Sequence, residues 1–176
     1  ETLKSDWYIF IIILVPLFIA LYFYSDLPEL MPSHWDMQGN VDDYSSKAFA
    51  VWFFPLLNLG LYFLLLLAPK IDPRRENYQR FTGAYRAFRI GLIAIMSAIY
   101  FITILVALGY TIKVDLFVKV IIALLFIIIG NFMGKLQHNY FIGIRTPWTL
   151  ASEEVWRRTH RLSGKIWVLC GTICFV

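Results

Sequence analysis

Four stretches of this sequence are long, apolar and almost free of charge: residues 7–24, 48–68, 90–110 and 116–133. Each holds roughly 18–21 residues, enough for an α-helix to cross a hydrocarbon core about 30 Å thick. Pro16 interrupts the first, and Lys119 lies one turn inside the fourth. A fifth block runs from Ile166 to Val176, about 16 Å as a helix. A helix ending midway through a bilayer is not a plausible natural terminus. The chain is therefore expected to continue beyond Val176, and Glu1, with no Met before it, reads as a trimmed edge. The composition agrees, with 59% hydrophobic residues against roughly 45–50% in soluble domains. No small-x-small site follows Tyr24, so the first block is read as a retained helix rather than a cleaved signal. The expected fold is all-α: a polytopic transmembrane helical bundle, one membrane domain over 1–176, with four complete helices and the start of a fifth at 165–176.

Loop charges give this bundle a direction. The segment 25–47 holds Asp26, Glu29, Asp36, Asp42 and Asp43 against Lys47 alone. The segment 69–89 holds Lys70, Arg74, Arg75, Arg80, Arg86 and Arg89 against Asp72 and Glu76. The short connection 111–115 is balanced. The segment 134–164 holds Lys135, Arg145, Arg157, Arg158 and Arg161 against Glu153 and Glu154. Cytoplasmic loops carry the excess of Lys and Arg, so 69–89 and 134–164 are expected inside, 25–47 outside and the N-terminus in the cytoplasm. The net charge of +4 is then a topology signal, and no direct nucleic-acid binding is expected.

The acidic loop contains Pro28 and Pro32, which disfavour helix, and a Gln38-Gly39-Asn40 turn. Its remainder reads as short extended chain, a small hairpin on the outer surface. His34, Asp36, Asp42 and Asp43 are of types that bind metals or sense pH, and the acids also suit a cationic peptide. The plainer reading, that His34 and Trp35 anchor the loop at the headgroup layer while the acids are solvated, is preferred, and no metal or cofactor is expected. In the basic loop, residues 152–162 read as a short amphipathic helix. Ser152 caps it, Glu153 and Glu154 suit the helix dipole, and Gly164 is a suitable stop. Val155, Trp156, Thr159 and Leu162 form its apolar face, and Arg157, Arg158 and Arg161 a basic one, as in a helix lying on the anionic inner leaflet or docking a soluble partner. Gly130 and Gly134 either admit a close neighbouring helix or end the fourth helix. Cys170 and Cys174, four apart, read as packing residues.

Two motifs carry a family resemblance. Pro32-x-His34-Trp35-x-x-x-Gly39-x-x-Asp42-x-Tyr44-x-Ser46-Lys47, after the first apolar block, resembles DUF1648, a domain of unknown function. Asn131-x-Met133-Gly134-Lys135 and Asn139-Tyr140-Phe141-x-Gly143-Ile144-Arg145-Thr146-Pro147-Trp148-Thr149-Leu150, with Glu153-x-Val155-Trp156 and Thr159-His160-Arg161, are similar to the SdpI family. The resemblance implies six transmembrane helices in a bacterial cell membrane, and immunity against a secreted antimicrobial peptide toxin. It also implies a signalling role in which a cytosolic transcriptional repressor is held at the membrane. On this reading the residues facing the toxin are Pro32, His34, Trp35, Asp36, Gly39, Asp42, Asp43, Tyr44 and Lys47. Those docking the cytosolic partner are Asn139, Gly143, Arg145, Thr146, Pro147, Trp148, Glu153, Trp156, Arg157, His160 and Arg161. Helix packing would shift about Pro16 or Pro55 between the two.

Two other classes have less behind them. A small-solute transporter or channel-like protein needs intramembrane polar residues, and the blocks offer Asn58, Ser97, Thr103, Asn131 and Lys119. Asn58, three residues after Pro55, reads better as a bond to a neighbouring helix or to freed backbone. An enzyme is not expected, because there is no HExxH, no GxSxG and no intramembrane carboxylate pair.

Overall fold

A computed structural model describes residues 6–36 and 38–174. The ends at Glu1 and Val176, and Met37 in the acidic loop, lie outside the described residues. The chain is mostly helical and divides into two compact units. Unit 1 comprises Glu1–Tyr62 and Leu92–Val118, and unit 2 Phe63–Gly91 and Lys119–Val176.

Unit 1 begins with α1 (Trp7–Tyr22), which is apolar on every side and buries one stripe, Ile9, Ile13, Pro16 and Ala20. Ile11, Leu14, Val15 and Phe18 are exposed, an arrangement that suits an apolar surround rather than water. The chain then forms a hairpin, β1 (Leu30–Trp35) antiparallel to β2 (Val41–Ser46). Leu30 pairs with Ser46, Pro32 with Tyr44 and Trp35 with Val41, and the register slips on either side of His34. Gly39, at φ +83°, closes the hairpin. A Cβ there would come 2.8 Å from the backbone nitrogen of Asp115. The next helix, α2 (Lys47–Ile71), starts without a linker, Ser46 Oγ accepting from the Phe49 N–H at 3.4 Å. Within unit 1, α2 packs on α3 (Thr82–Ala107) through Ala50, Val51, Tyr100 and Ile104. The Tyr100 hydroxyl donates to the Val51 carbonyl at 2.9 Å. Asn58 Nδ2 donates to Ile93 O at 3.2 Å and Ser97 Oγ at 2.9 Å. Asn58 therefore joins two helices, as its place near Pro55 suggested.

Three helical segments are long and apolar enough to cross a membrane: Lys47–Ile71, Arg75–Ala107 and α4, Val114–Met133. The chain is a membrane protein. α1 is shorter, at 16 residues. The third segment differs from its sequence reading. It begins with a 3-10 turn, Arg75–Phe81, and α3 follows at Thr82, not at residue 90. Only 72–74 separate α2 from this turn. Charge marked 69–89 as a loop, but long basic side chains at a helix end keep their heads wet while the backbone stays helical.

Unit 2 is built where α4 meets α6 (Glu153–Ile173), which follows the short α5 (Pro147–Ala151). The amphipathic helix and the fifth apolar block are one continuous helix. Gly164 is not a stop but a contact point. A Cβ on Gly130 would lie 2.7 Å from Val168 Cγ2 and 2.8 Å from the Gly164 carbonyl, and one on Gly164 would lie 2.8 Å from the Gly130 carbonyl. Gly171 meets the Ala123 carbonyl in the same way, at 2.7 Å. Backbone thus packs on backbone, as small residues allow in membranes. Gly130 is the close-approach glycine, while Gly134 follows the end of α4 at Met133.

Gly130→Ala should destabilise the protein by about 1–3 kcal/mol, because the obstacle is backbone and cannot rotate away. Gly60→Ala, which meets nothing within 4 Å, should be neutral or stabilising by up to about 1 kcal/mol. Thermal unfolding in a neutral detergent compares the two.

Candidate functional site

Residues 134–146 contain no helix or strand, yet their polar backbone is satisfied by buried side chains. Asn139 is fully buried. Its Oδ1 accepts from the backbone N–H groups of Phe141 at 2.9 Å and Ile142 at 2.7 Å. Its Nδ2 donates to the carbonyls of Gln137 at 2.9 Å and Ile142 at 3.0 Å. One side chain therefore replaces four bonds that secondary structure would otherwise make.

Asp72, also buried, holds the segment from the other side. Its Oδ1 accepts from the Arg74 N–H at 2.7 Å and its Oδ2 from the Tyr140 N–H at 2.9 Å. The Tyr78 hydroxyl lies 3.0 Å from Asp72 Oδ2 and 3.3 Å from Asn139 Oδ1, and its one proton serves the nearer acceptor. Asn77 Nδ2 donates to the His138 carbonyl at 2.7 Å, and the Arg74 guanidinium lies 5.0 Å over the Tyr140 ring.

His160 closes the far end. Its Nδ1 lies 2.8 Å from the Trp156 carbonyl, and its Nε2 accepts from the Ile144 N–H at 2.9 Å. Only the neutral ring with the proton on Nδ1 satisfies both, which fixes the tautomer. Burial holds its pKa below the usual histidine value, against the Trp156 carbonyl, which raises it. Gly143, at φ +118°, passes over this ring, and a Cβ there would strike His160 Nε2, so only glycine fits. The Trp156 ring stacks on His160 at 4.0 Å, and its Nε1 donates to the Leu136 carbonyl at 2.9 Å. Thr146 and Thr149 cap α5 reciprocally, and the Thr149 hydroxyl lies 2.7 Å from the Ile144 carbonyl. Ser152 caps α6, its Oγ accepting from Val155 N–H.

Beside this knot lies a cleft of about 460 Å³, lined among others by Arg80, His138, Glu153, Arg157 and Arg161. His138 is 4% exposed. Neither of its ring nitrogens makes a well-formed hydrogen bond, although the Leu150 backbone lies near enough to favour protonation. Burial and Arg74 outweigh this and lower its pKa. Glu154 bridges Arg157 and Arg158, Arg158 at 2.5 Å. The Arg158 hydrogen bond, above all, lowers its pKa.

The structure thus sorts the residues expected to dock a cytosolic partner. Asn139, Trp156 and His160 are buried and hold the segment together, so they cannot touch a partner without unfolding it. Thr146 is a half-buried cap. Gly143, Arg145, Pro147, Trp148, Glu153, Arg157 and Arg161 are exposed, Trp148 at 72%, and Arg145 donates to the Tyr140 carbonyl at 2.5 Å. The apolar face drawn on α6 is also corrected. The buried stripe is Trp156, His160, Gly164 and Gly171, while Val155 and Leu162 face outward. Sequence reasoning missed Asp72 and Tyr78. The available signal was an acid set between the end of an apolar block and Pro73 within a basic run.

In the hairpin, His34 Nδ1 pairs with Asp42 Oδ1 at 2.6 Å, both exposed. Asp36 is committed to the turn, accepting from the Asn40 side chain and from the backbone N–H groups of Gln38 and Asn40. Those bonds, the Asn40 side chain first, hold its carboxyl below the usual range. Asp43 accepts from the Tyr44 N–H. Lys47, nearly buried, pairs with Glu29 at 2.9 Å and lies 5.1 Å over the Tyr24 ring. Pro32 is buried, Trp35 is partly buried, and Tyr44 is exposed. Among the described residues, no group of three or more His, Cys, Asp or Glu is placed to hold a metal.

The knot and the hairpin are also where the chain matches known families. Residues 135–176 match the SdpI/YfhL protein family. Residues 11–59, with the hairpin, match the domain of unknown function DUF1648. The chain is 29% identical over 175 residues to the protein named Immunity protein SdpI of Bacillus subtilis (strain 168), covering 99% of this chain and 81% of that one. No solved structure matches. The SdpI-family resemblance read from the two motifs is borne out.

Within the SdpI-matched segment, His160 gives a test with a sign. The folded state holds the ring neutral and the unfolded chain protonates below about pH 6.5. The unfolded state then binds more protons, and stability falls as pH is lowered from neutrality through that range. His160→Phe keeps the ring stack but strands the Ile144 N–H. It should cost about 1–3 kcal/mol at neutral pH and flatten the acid-side loss, leaving the share due to His138. Unfolding temperatures between pH 7.5 and 5.5 provide the check.

Proposed function

We propose that the chain is a multi-pass protein of the bacterial plasma membrane that confers immunity to a secreted toxic peptide. The observation that carries this is the similarity, over nearly its full length, to a protein named as an immunity protein. In the proposed topology α1, α2, α3 and α4 cross the membrane, the C-terminal half of α6 begins a fifth crossing, and the N-terminus is cytoplasmic. The alternation of basic and acidic segments supports that direction.

The hairpin is then the external face. Its exposed His34–Asp42 pair, Asp43 and Tyr44 offer a polar and aromatic edge on a short, fixed turn, suited to a cationic peptide. The 134–161 segment is the internal face. Its exposed Trp148, flanked by Arg145 and Pro147, is the kind of aromatic anchor that dominates protein contacts, and we propose that it docks a cytosolic transcriptional repressor. The role is binding rather than catalysis. The transporter alternative loses support at Asn58, whose amide nitrogen is occupied by Ile93 and Ser97.

Survival separates the two faces. Cells expressing the protein should survive members of a panel of secreted killing peptides to which cells without it succumb. Tyr44→Ala with Asp42→Asn should lower survival. Trp148→Ala should leave survival intact while abolishing membrane recruitment of the repressor. Equal killing with and without the protein across the panel would remove the immunity reading.

A further inference from the structure

The α4–α6 crossing leaves a groove of about 630 Å³ whose lining changes character along its length. At one end stand Lys135, Arg161 and Lys165. Arg161 and Lys165 are one turn apart on one face of α6, and Lys135 follows the end of α4. Beyond them the lining is the glycine backbone of the crossing, then Val168 and Leu169, with Asn131 and Thr172, which donate to the carbonyls of Ile127 and Val168 in their own helices. Among the described residues, no acid lines the groove. Lys135 lies over the Phe132 ring at 5.5 Å, and none of the three cations has a carboxylate partner among the described residues. On α6, Glu154 is already held by Arg157 and Arg158.

We infer that this groove is a site for one anionic phospholipid. The phosphate sits among Lys135, Arg161 and Lys165, and an acyl chain lies along Val168 and Leu169. The occupant follows from the lining. A free anion has no use for the apolar half, and a packed helix would leave three cations to be neutralised. A phospholipid supplies both an acid and a chain, joined in the order the groove presents them. Basic pockets at the cytoplasmic ends of transmembrane helices bind such headgroups. The inference rests on the membrane location of unit 2 and not on a toxin or a repressor.

The full chain, purified in neutral detergent, is titrated with phosphatidylglycerol or phosphatidylcholine, and bound lipid is counted by native mass spectrometry. One phosphatidylglycerol should be retained in preference to phosphatidylcholine. Lys135→Gln and Arg161→Gln should each weaken that retention about fivefold, with phosphatidylcholine binding unchanged. Leu169→Trp, which fills the apolar half and keeps every charge, should lower retention of phosphatidylglycerol. Arg158→Gln, an exposed cation on α6 outside the groove, should change nothing. Each variant is compared at equal helical content. The site is overturned if the two lipids are retained alike, if Arg158→Gln weakens binding as much as Arg161→Gln, or if another protein segment fills the groove and no lipid is kept. Displacement by millimolar inorganic phosphate would assign it to a free anion instead. A protein extracted without detergent would instead contradict the membrane location itself.

Discussion

The amide of Asn139 is the interaction on which unit 2 depends. A chain leaving a membrane helix must satisfy its backbone polar groups, and 134–146 has neither ladder nor helix with which to do so. Asn139 supplies two acceptor and two donor bonds from one buried side chain. Asp72 and His160 extend the same solution to either side, each accepting a backbone N–H that would otherwise be stranded. The three are far apart in sequence and of different chemistry, yet each replaces secondary structure. Losing one partner leaves a buried donor unpaired, which is costlier than never having made the bond.

Once the segment is fixed, its surface is fixed with it. Gly143 can pass over His160 only because it has no side chain, and that turn leads into the Thr146 cap and leaves Trp148 exposed. The glycines of the α4–α6 crossing bring two backbones together and leave the groove beside them. Unit 1 uses a different economy of parts. Its hairpin runs into α2 without a linker, and Asp36 accepts the hydrogen bonds that close its turn. In both units some polar residues of the motifs make local structural bonds, as Asp36, Asn139 and His160 do, while others, such as Tyr44 and Arg145, stay exposed.

Much of this was legible in the sequence, and the physical reason is scale. A membrane-crossing block is a sum over about twenty residues, so composition alone finds it, and the long motif of residues 139–150 carries the family resemblance. Boundaries rest on single residues and fared worse. Arg86 and Arg89 marked a loop, but α3 begins before them. Gly164 has the identity of a helix stop and serves as a helix contact, a distinction made by a partner helix that no local window contains. The sequence reading places Trp156 on an apolar face with Val155, Thr159 and Leu162, and His160 among the partner-docking residues, whereas the burial stripe follows Trp156, His160, Gly164 and Gly171. Asp72 was counted as one acid in a basic segment, since its bond to Tyr140 spans 68 positions.

The central claim is that an irregular segment is held as firmly as a helix by three buried side chains. Amide hydrogen exchange on the detergent-solubilised protein tests it most directly. The account predicts slow exchange at Tyr140, Phe141, Ile142 and Ile144, comparable with the interior of α6, although none of the four lies in a helix or strand. Exchange at these amides as fast as in an unprotected loop would contradict it.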